Sequence, residues 1–437
     1  MLELLGSGLL SFLLSGTPKV ETLRSTPWSV FLNQALLQSL IPPDPAAQSV
    51  IQQQVDALAG LGYPAQAQGI WLQEGNHVLA EHQGTTPLPA ASLTKVATTL
   101  VALDTWGAQH QFVTIFSGTG PVQNGVLQGD LLVQGDGDPF FVWEEAVAVG
   151  NALNQAGITR VTGNLLVTGT FAMNYELDPN TAGALLKQGL NPQLWNAEAT
   201  AQFQQLPPGT VRPQVVIDGG IQPVASAASV PNAKPIVRHR SMQLVSVLKA
   251  MNIYSNNVMS QMMADSLGGA PAVAQKAAAI AQVPPQEIQL ANGSGLGVDN
   301  RISPRAVTAM MLSIQRYLQE AQLNIGNLFP VMGRDIGTLK GRKMPNDAVV
   351  KTGTLNEVSS LAGVLPTRDR GLVWFSMINY GAGDIQIFHD QQDFLLERLQ
   401  KNWGVTAPVP SGIRPSDRSN LPSNRVGSGD RSEVVRE

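Results

Sequence analysis

The stretch "PLPAASLTKVATTLVALDTWG", residues 87–107, places a lysine at the head of a run that otherwise reads as protein interior. From Val96 onward, Ala97, Leu100, Val101 and Leu103 recur at the spacing of a helix that is being buried. Ser92 and Lys95 stand three positions apart, so on that helix they share a face one turn apart. Burial or a neighbouring cation disfavours an ammonium group, and the free amine could then accept the proton of the serine hydroxyl. Because Ser92 follows "PLPAA", it opens the helix, where first-turn amides are unpaired and the dipole favours negative charge. An oxyanion forming there would be stabilised.

Ser-x-x-Lys alone is weak evidence, since Ser246 and Lys249 make a second copy. That copy falls in the middle of an amphipathic pattern, where a serine commonly bonds back to the preceding turn and a lysine reaches solvent. Two distant motifs separate the copies. Ser255-Asn256-Asn257 is the only Ser-x-Asn in the chain, and Lys351-Thr352-Gly353 is the only Lys-Thr-Gly. In the order Ser-x-x-Lys, Ser-x-Asn, Lys-Thr-Gly they match the set found in penicillin-binding proteins and serine β-lactamases. Lys351, on a strand beside the nucleophile helix, is expected to offer positive charge to a substrate carboxylate and to keep Lys95 neutral by repulsion. Thr352 and Thr354 offer hydroxyls to the same carboxylate, and Gly353 leaves room for substrate along the strand edge. Ser255 can relay a proton to a leaving amine, and Asn257 can hold an amide carbonyl or orient Lys95.

At these residues the chain resembles the D-alanyl-D-alanine carboxypeptidase/endopeptidase family, the class C low-molecular-mass penicillin-binding proteins of peptidase family S13. The likeness extends through "GDLLVQGDGDPFF", "NGSGLGVDNRISP", "GTLKGRK" and "VVKTGTLNEVSSLAGVL", and spans roughly residues 65–400. Two departures stand out: Ser-Asn-Asn replaces the commoner Ser-Asp-Asn, and Asn292 stands where the family usually has Asp. The resemblance implies an α+β fold, an antiparallel five-stranded sheet flanked by helices, interrupted by an inserted domain. It further implies that Ser92 attacks the penultimate D-Ala carbonyl of a peptidoglycan stem peptide, with the amides of Ser92 and Thr354 as oxyanion hole. D-alanyl cross-links would be cleaved by the same chemistry, β-lactams would act as covalent inhibitors, and the site of action would be the periplasm or cell envelope.

Along the chain the expected division is 1–26, an apolar segment that could be a signal or anchor; 27–107 with 238–403, a split acyl-transfer domain; and 108–237, an inserted β-rich module with a helix at about 141–156. Helices are also expected at 46–61, 303–320 and 385–402, with a hairpin around Glu74-Gly75-Asn76. Residues 404–437, rich in Pro, Ser and charge, are expected to be disordered.

Composition narrows the alternatives. A net charge of −4 provides no basic field for a nucleic acid. The absence of cysteine excludes disulfides, thiolate nucleophiles and Cys-ligated metals. The five histidines fall in no metal-ligand spacing, and no phosphate-binding loop or Gly-x-Ser-x-Gly elbow occurs, so neither metal nor cofactor is expected. The first 16 residues are too short a run to span a bilayer, which limits any membrane contact to the N-terminal segment. Two rivals are a β-lactamase or esterase of the same superfamily and a non-catalytic peptidoglycan-binding scaffold. Fast deacylation of penicillin needs a carboxylate base such as Glu-x-x-Leu-Asn, and here Glu287 and Asn292 are five apart rather than four. The joint presence of Ser92, Lys95 and Lys351 argues against a scaffold with a decayed site.

Overall fold

The computed structural model describes residues 43–417 and 421–435. The apolar segment 1–26 and residues 27–42 lie outside them. Asp44 opens the first helix, α1 (Pro45–Gly60), by accepting from the amides of Ala46 and Ala47. The hairpin β1 (Gln68–Glu74) and β2 (His77–His82) follows, and then α2 (Thr94–Trp106), the helix of the opening stretch. The chain then enters a second layer through β3 (Val113–Gly118), β4 (Leu131–Asp136), α3 (Trp143–Gln155), β5 (Leu165–Thr170), α4 (Pro179–Leu190), α5 (Ala197–Gln205) and β6 (Ile221–Pro223). It returns along β7 (Lys234–Arg240) to four helices, α6 (Leu244–Tyr254), α7 (Asn257–Ser266), α8 (Ala270–Ala281) and α9 (Pro304–Glu320). Strands β8 (Val349–Leu355), β9 (Val358–Thr367) and β10 (Gly371–Tyr380), helix α10 (Ile385–Trp403) and a short β11 (Ser432–Val434) complete it.

Strands β8, β9, β10, β1 and β2 form, in that order, one antiparallel sheet of five. Every residue of the interior strand β9 is buried, so its side chains must be covered on both faces. Alternation along the strand separates the two cores. Ala362 and Val364 pack with Val96, Leu100 and Met310 of α2 and α9. Leu361 and Leu365 point the other way, to Ile51 of α1 and to Leu395 and Leu399 of α10. The start of α9 follows the sequence signal, because Ser303 caps it by accepting from Ala306 N and Pro304 takes a first-turn position. The result is a sheet between helical layers whose edge strand, β8, is left beside the head of α2.

Residues 108–237 carry a six-stranded sheet, completed by the rest of β7 and by β11, and a small four-stranded one, around their own apolar cluster that includes Phe116, Val133, Leu153, Val167 and Val237. Three helices lie in this span where one was expected. The two additional ones are capped locally: Asp178 accepts from Thr181 N ahead of Pro179, and Asn196 accepts from Ala199 N.

The disorder expected for 404–437 is corrected for its described residues. Ile413 is 1% exposed, Val409 and Val426 pack on the same core, and β11 pairs antiparallel with β7 through Val434 opposite Val237. Arg431 is buried against Glu145, with Nη2 donating at 2.6 and 2.8 Å to the two carboxylate oxygens. Composition fails here because the partner that stabilises this segment lies 286 positions upstream. Among the described residues no helix is long and apolar enough to cross a membrane.

Candidate active site

Ser92 occupies a single helical turn, Ala91–Leu93, that runs directly into α2. One turn on, Lys95 is fully buried, and its Nζ lies 3.0 Å from Ser92 Oγ. Nζ also donates to Asn257 Oδ1 at 2.7 Å and to the Ser294 carbonyl at 2.6 Å. A neutral amine has two hydrogens and one lone pair. Asn257 and Ser294, pure acceptors at these atoms, take the hydrogens, which leaves the lone pair for the Ser92 hydroxyl. Burial brings the Lys95 ammonium down to about 7, so a large share of it is neutral near neutral pH.

Ser255 ends α6 in the left-handed region, φ 53° and ψ 41°, and Asn256 caps α7 by accepting from Met259 N. The helical run that begins at Leu244 thus breaks at the motif itself. This break turns Ser255 toward the strand and Asn257 toward Lys95. A left-handed non-glycine residue is strained, and such residues persist where surrounding contacts over-determine them. Ser255 Oγ has such a contact, accepting from Lys351 Nζ at 2.9 Å.

Lys351 differs from its expected role. It is fully buried, and Nζ donates to Ser255 Oγ and, at 2.7 Å, to the Thr352 carbonyl instead of facing open cavity. Burial first, and then Lys95, hold it well below the ordinary lysine value. Burial is the main cause at both lysines. Gly353 differs as well. A methyl group there would lie 2.8 Å from Ser92 N and 3.1 Å from Ala90 O and would collide with Ser360 Oγ. The missing side chain makes room for the turn that carries Ser92, which Ser360 ties to β9 by donating to Ala90 O at 2.7 Å. Thr352 is buried and donates to Thr338 Oγ1 at 2.8 Å, and Thr354 is exposed.

A cavity of about 350 Å³ opens in front of Ser92, lined also by Ser255, Asn257, Thr338, Thr352 and Thr354. A larger one, about 750 Å³, lies between the 108–237 layer and α6; it contains Ser246 and Lys249 but none of the three motifs' functional side chains. Lys249 is only partly exposed there and is engaged. It donates to Asp335 Oδ2 at 2.7 Å and to the carbonyls of Gly326 and Phe329, a structural tie that leaves no base for Ser246. Glu287, the nearest approach to a β-lactamase-type base, is bound by Arg305 and Ser303. Among the described residues no cluster of His, Asp or Glu has the makings of a metal site.

The loop that holds Lys95 from behind lies in "NGSGLGVDNRISP", a segment of the resemblance for which the sequence suggested no role at the site. Asn292 Oδ1 accepts from Ser294 N and Oγ, Gly295 N and Leu296 N, and Thr98 and Ser260 both donate to Gly293 O. Asn therefore performs the acceptor role available to an Asp at this position. Thr338, Lys340, Arg342, Gln386 and His389 also line the cavity. The first three stand in "GTLKGRK", which carried part of the resemblance.

The family model described as D-Ala-D-Ala carboxypeptidase 3 (S13) matches residues 52–206 and 215–399. The D-alanyl-D-alanine carboxypeptidase DacB of Haemophilus influenzae is 25% identical over 415 residues, covering 71% of this chain and 85% of that protein. A carboxypeptidase of Mycobacterium tuberculosis is 24% identical over 421 residues, 84% of each chain. Among solved structures, a penicillin G-acylated predatory endopeptidase from Bdellovibrio bacteriovorus superposes with a TM-score of 0.68 at 20% identity, covering 79% of this chain and 95% of that one. Penicillin-binding protein 4 of Haemophilus influenzae gives 0.57 at 20% identity, over 79% and 99%. At such identities the two structures establish the fold, a penicillin-binding-protein-like α+β fold with its antiparallel five-stranded sheet.

Proposed function

The chain belongs to the D-Ala-D-Ala carboxypeptidase 3 (S13) family, and on that premise we propose that it is a penicillin-binding serine hydrolase of peptidoglycan with Ser92 as nucleophile. It hydrolyses the D-Ala-D-Ala bond of stem peptides and, by the same chemistry, D-alanyl cross-links. The observation that carries the assignment of Ser92 is its Oγ 3.0 Å from a fully buried lysine amine whose other two polar contacts are acceptors.

The Lys95 amine takes the hydroxyl proton as Ser92 Oγ bonds to the penultimate D-Ala carbonyl carbon. Negative charge on the carbonyl oxygen meets the amides of Ser92 and Thr354. The proton travels by way of Ser255 to the departing amine, the C–N bond breaks, and D-Ala leaves an ester on Ser92. Water, deprotonated by the same lysine, then releases the shortened peptide. Thr352 and Thr354 hold the leaving residue's carboxylate, and Gly353 keeps the strand close to the nucleophile turn.

The substrate is a cell-wall polymer, so the action is in the envelope; we place it in the periplasm, with any anchoring left to the segment 1–26. We also take 108–237 as a unit inserted into an acyl-transfer domain of 27–107 and 238–403. The test is covalent labelling by a fluorescent penicillin, followed by gel and mass, together with release of D-Ala from muropeptides. A stable adduct lost in Ser92→Ala, with D-Ala release, is expected. No adduct, or one equally strong in Ser92→Ala, would sink the assignment, and rapid turnover of the label would favour a β-lactamase.

A further inference from the structure

The cavity in front of Ser92 has no carboxylate in its lining. Its charged or chargeable side chains are Lys340, Arg342 and His389. Arg342 is engaged: Nε and Nη2 donate to Asp393 Oδ1 at 2.9 and 2.6 Å, and the side chain is 6% exposed. His389 is held below its ordinary value, by burial first and then by Arg342, so it is largely neutral near pH 7. Lys351 is behind the wall, fully buried and bonded to Ser255 and Thr352. Lys340 remains, exposed and without an ion-pair partner among the described residues.

Its backbone is fixed on both sides. The preceding turn, Gly337–Leu339, presents Thr338, whose hydroxyl meets Thr352 Oγ1 at 2.8 Å. Two positions after Lys340, the Arg342 ion pair clamps the segment to α10, and Lys343 N donates to Asp393 Oδ2 at 2.7 Å. A long cationic side chain on a fixed base, opening on a cavity without carboxylates, suits an anionic group arriving with the substrate.

We propose that Lys340 determines specificity by the charge of the leaving group: its ammonium pairs with a carboxylate on the carbon bonded to the departing amine. This rests on the function proposed above. A terminal D-Ala carries that carboxylate, and so does a cross-link whose amine sits on the D-centre of a 2,6-diamino acid. A cross-link through a plain side-chain amine, such as that of lysine, does not. Ser255, Thr338, Thr352 and Lys340 line one cavity, so a departing nitrogen at Ser255 and the carboxylate two bonds from it share that cavity with Lys340. The enzyme accordingly favours free-acid and diamino-acid leaving groups over neutral ones.

The test compares peptides ending in D-Ala-D-Ala as the free acid or the C-terminal amide, using the full chain, Lys340→Ala and Lys340→Arg. Acylation by benzylpenicillin and by its methyl ester gives the same comparison if peptide turnover is slow. Lys340→Ala is expected to lower the acid-to-amide ratio of kcat/KM about tenfold, mainly through KM, as suits loss of a charge-assisted contact at a partly exposed site. Lys340→Arg restores most of the ratio, and high salt erodes it in the wild type. A ratio unaltered in Lys340→Ala overturns the proposal, as does an equal loss on acid and amide, which would mark a structural role. A wild type that cleaves neither peptide and takes no penicillin overturns the function proposed above and this inference with it. One that takes penicillin and cleaves the peptide but shows no acid preference overturns the inference alone.

Discussion

The Ser294 carbonyl oxygen lies 2.6 Å from Lys95 Nζ, closer than Ser92 Oγ at 3.0 Å. Lys95, the proposed base, is thus held from behind by a loop whose own shape depends on Asn292, the acceptor for three backbone amides and the Ser294 hydroxyl. Asn292→Ala should cost about 1–3 kcal/mol of stability by leaving those donors unpaired. It should also slow acylation more than about tenfold, because the lysine loses its fixed position. Asn292→Asp keeps the acceptor oxygens and should retain most of both. Penicillin acylation rates alongside thermal melts check this, and an Asn292→Ala enzyme that acylates like wild type would show that the loop does not position Lys95.

The pH profile follows from the burial of Lys95. In the proposed mechanism only its free amine accepts the Ser92 proton, and burial brings the group to about 7, so acylation should rise as pH increases through about 7 and level off above it. The stability contribution has the same sign. Between about 7 and the ordinary value of 10.5 the unfolded chain holds a proton that the folded site does not, so the fold gains stability as pH rises through that window. Stopped-time labelling from pH 5 to 9 checks the first statement. A rate that falls across neutrality would exclude Lys95 as the base.

Gly353 is predicted to tolerate no side chain. In Gly353→Ala the added methyl meets Ser92 N at 2.8 Å and Ser360 Oγ more closely still, so either β8 or the nucleophile turn must move. The expected stability cost is about 1–3 kcal/mol, typical of overpacking. Acylation should fall by about a hundredfold or more, since a small displacement of Ser92, the proposed nucleophile, from the strand disrupts the reacting geometry. Near-normal labelling of Gly353→Ala would mean that turn and strand can separate at little cost.

The chemistry was legible in the sequence because each step demands a particular side chain: a hydroxyl with an amine one turn away, a second hydroxyl, a lysine followed by a hydroxyl and a glycine. Helix α9 was legible through Ser303 and Pro304, and the hairpin before the nucleophile through Gly75 and Asn76, because caps and turns are local. What escaped depends on contacts between distant residues. Nothing near Ser255 in the chain announces a left-handed break between two helices; it is held by Lys351, 96 positions away. The function of Gly353 depends on where Ser92 folds, and the burial of Lys351 on where α6 ends. Helices α4 and α5 have caps that are local in sequence, Asp178-Pro179 and Asn196, but they lie in a β-rich span whose short strands mask a helical period.

The C-terminal segment provides the plainest case of such a distant contact, and a test. Burial would raise the Glu145 carboxyl, but Arg431 and His239 outweigh it and bring it to about 2, so it is ionised in the folded protein. Arg431 also donates to the carbonyls of Arg240 and Arg425, which ties β7, α3 and the tail together at one guanidinium. Arg431→Met removes the cation and leaves a buried carboxylate, a change that costs about 3–5 kcal/mol when a buried pair loses one member. The double variant Glu145→Gln, Arg431→Met should recover part of that loss, because no charge is then stranded. A carboxyl held below its ordinary value stabilises the fold above the unfolded value of 4.5, and that stability is lost as pH falls toward 2. The gap in Tm between wild type and Arg431→Met should therefore be wide at pH 7 and close in acid. A gap that stays constant with pH, or a variant that melts like wild type, would show that the tail is held by its apolar contacts and strand pairing rather than by this ion pair.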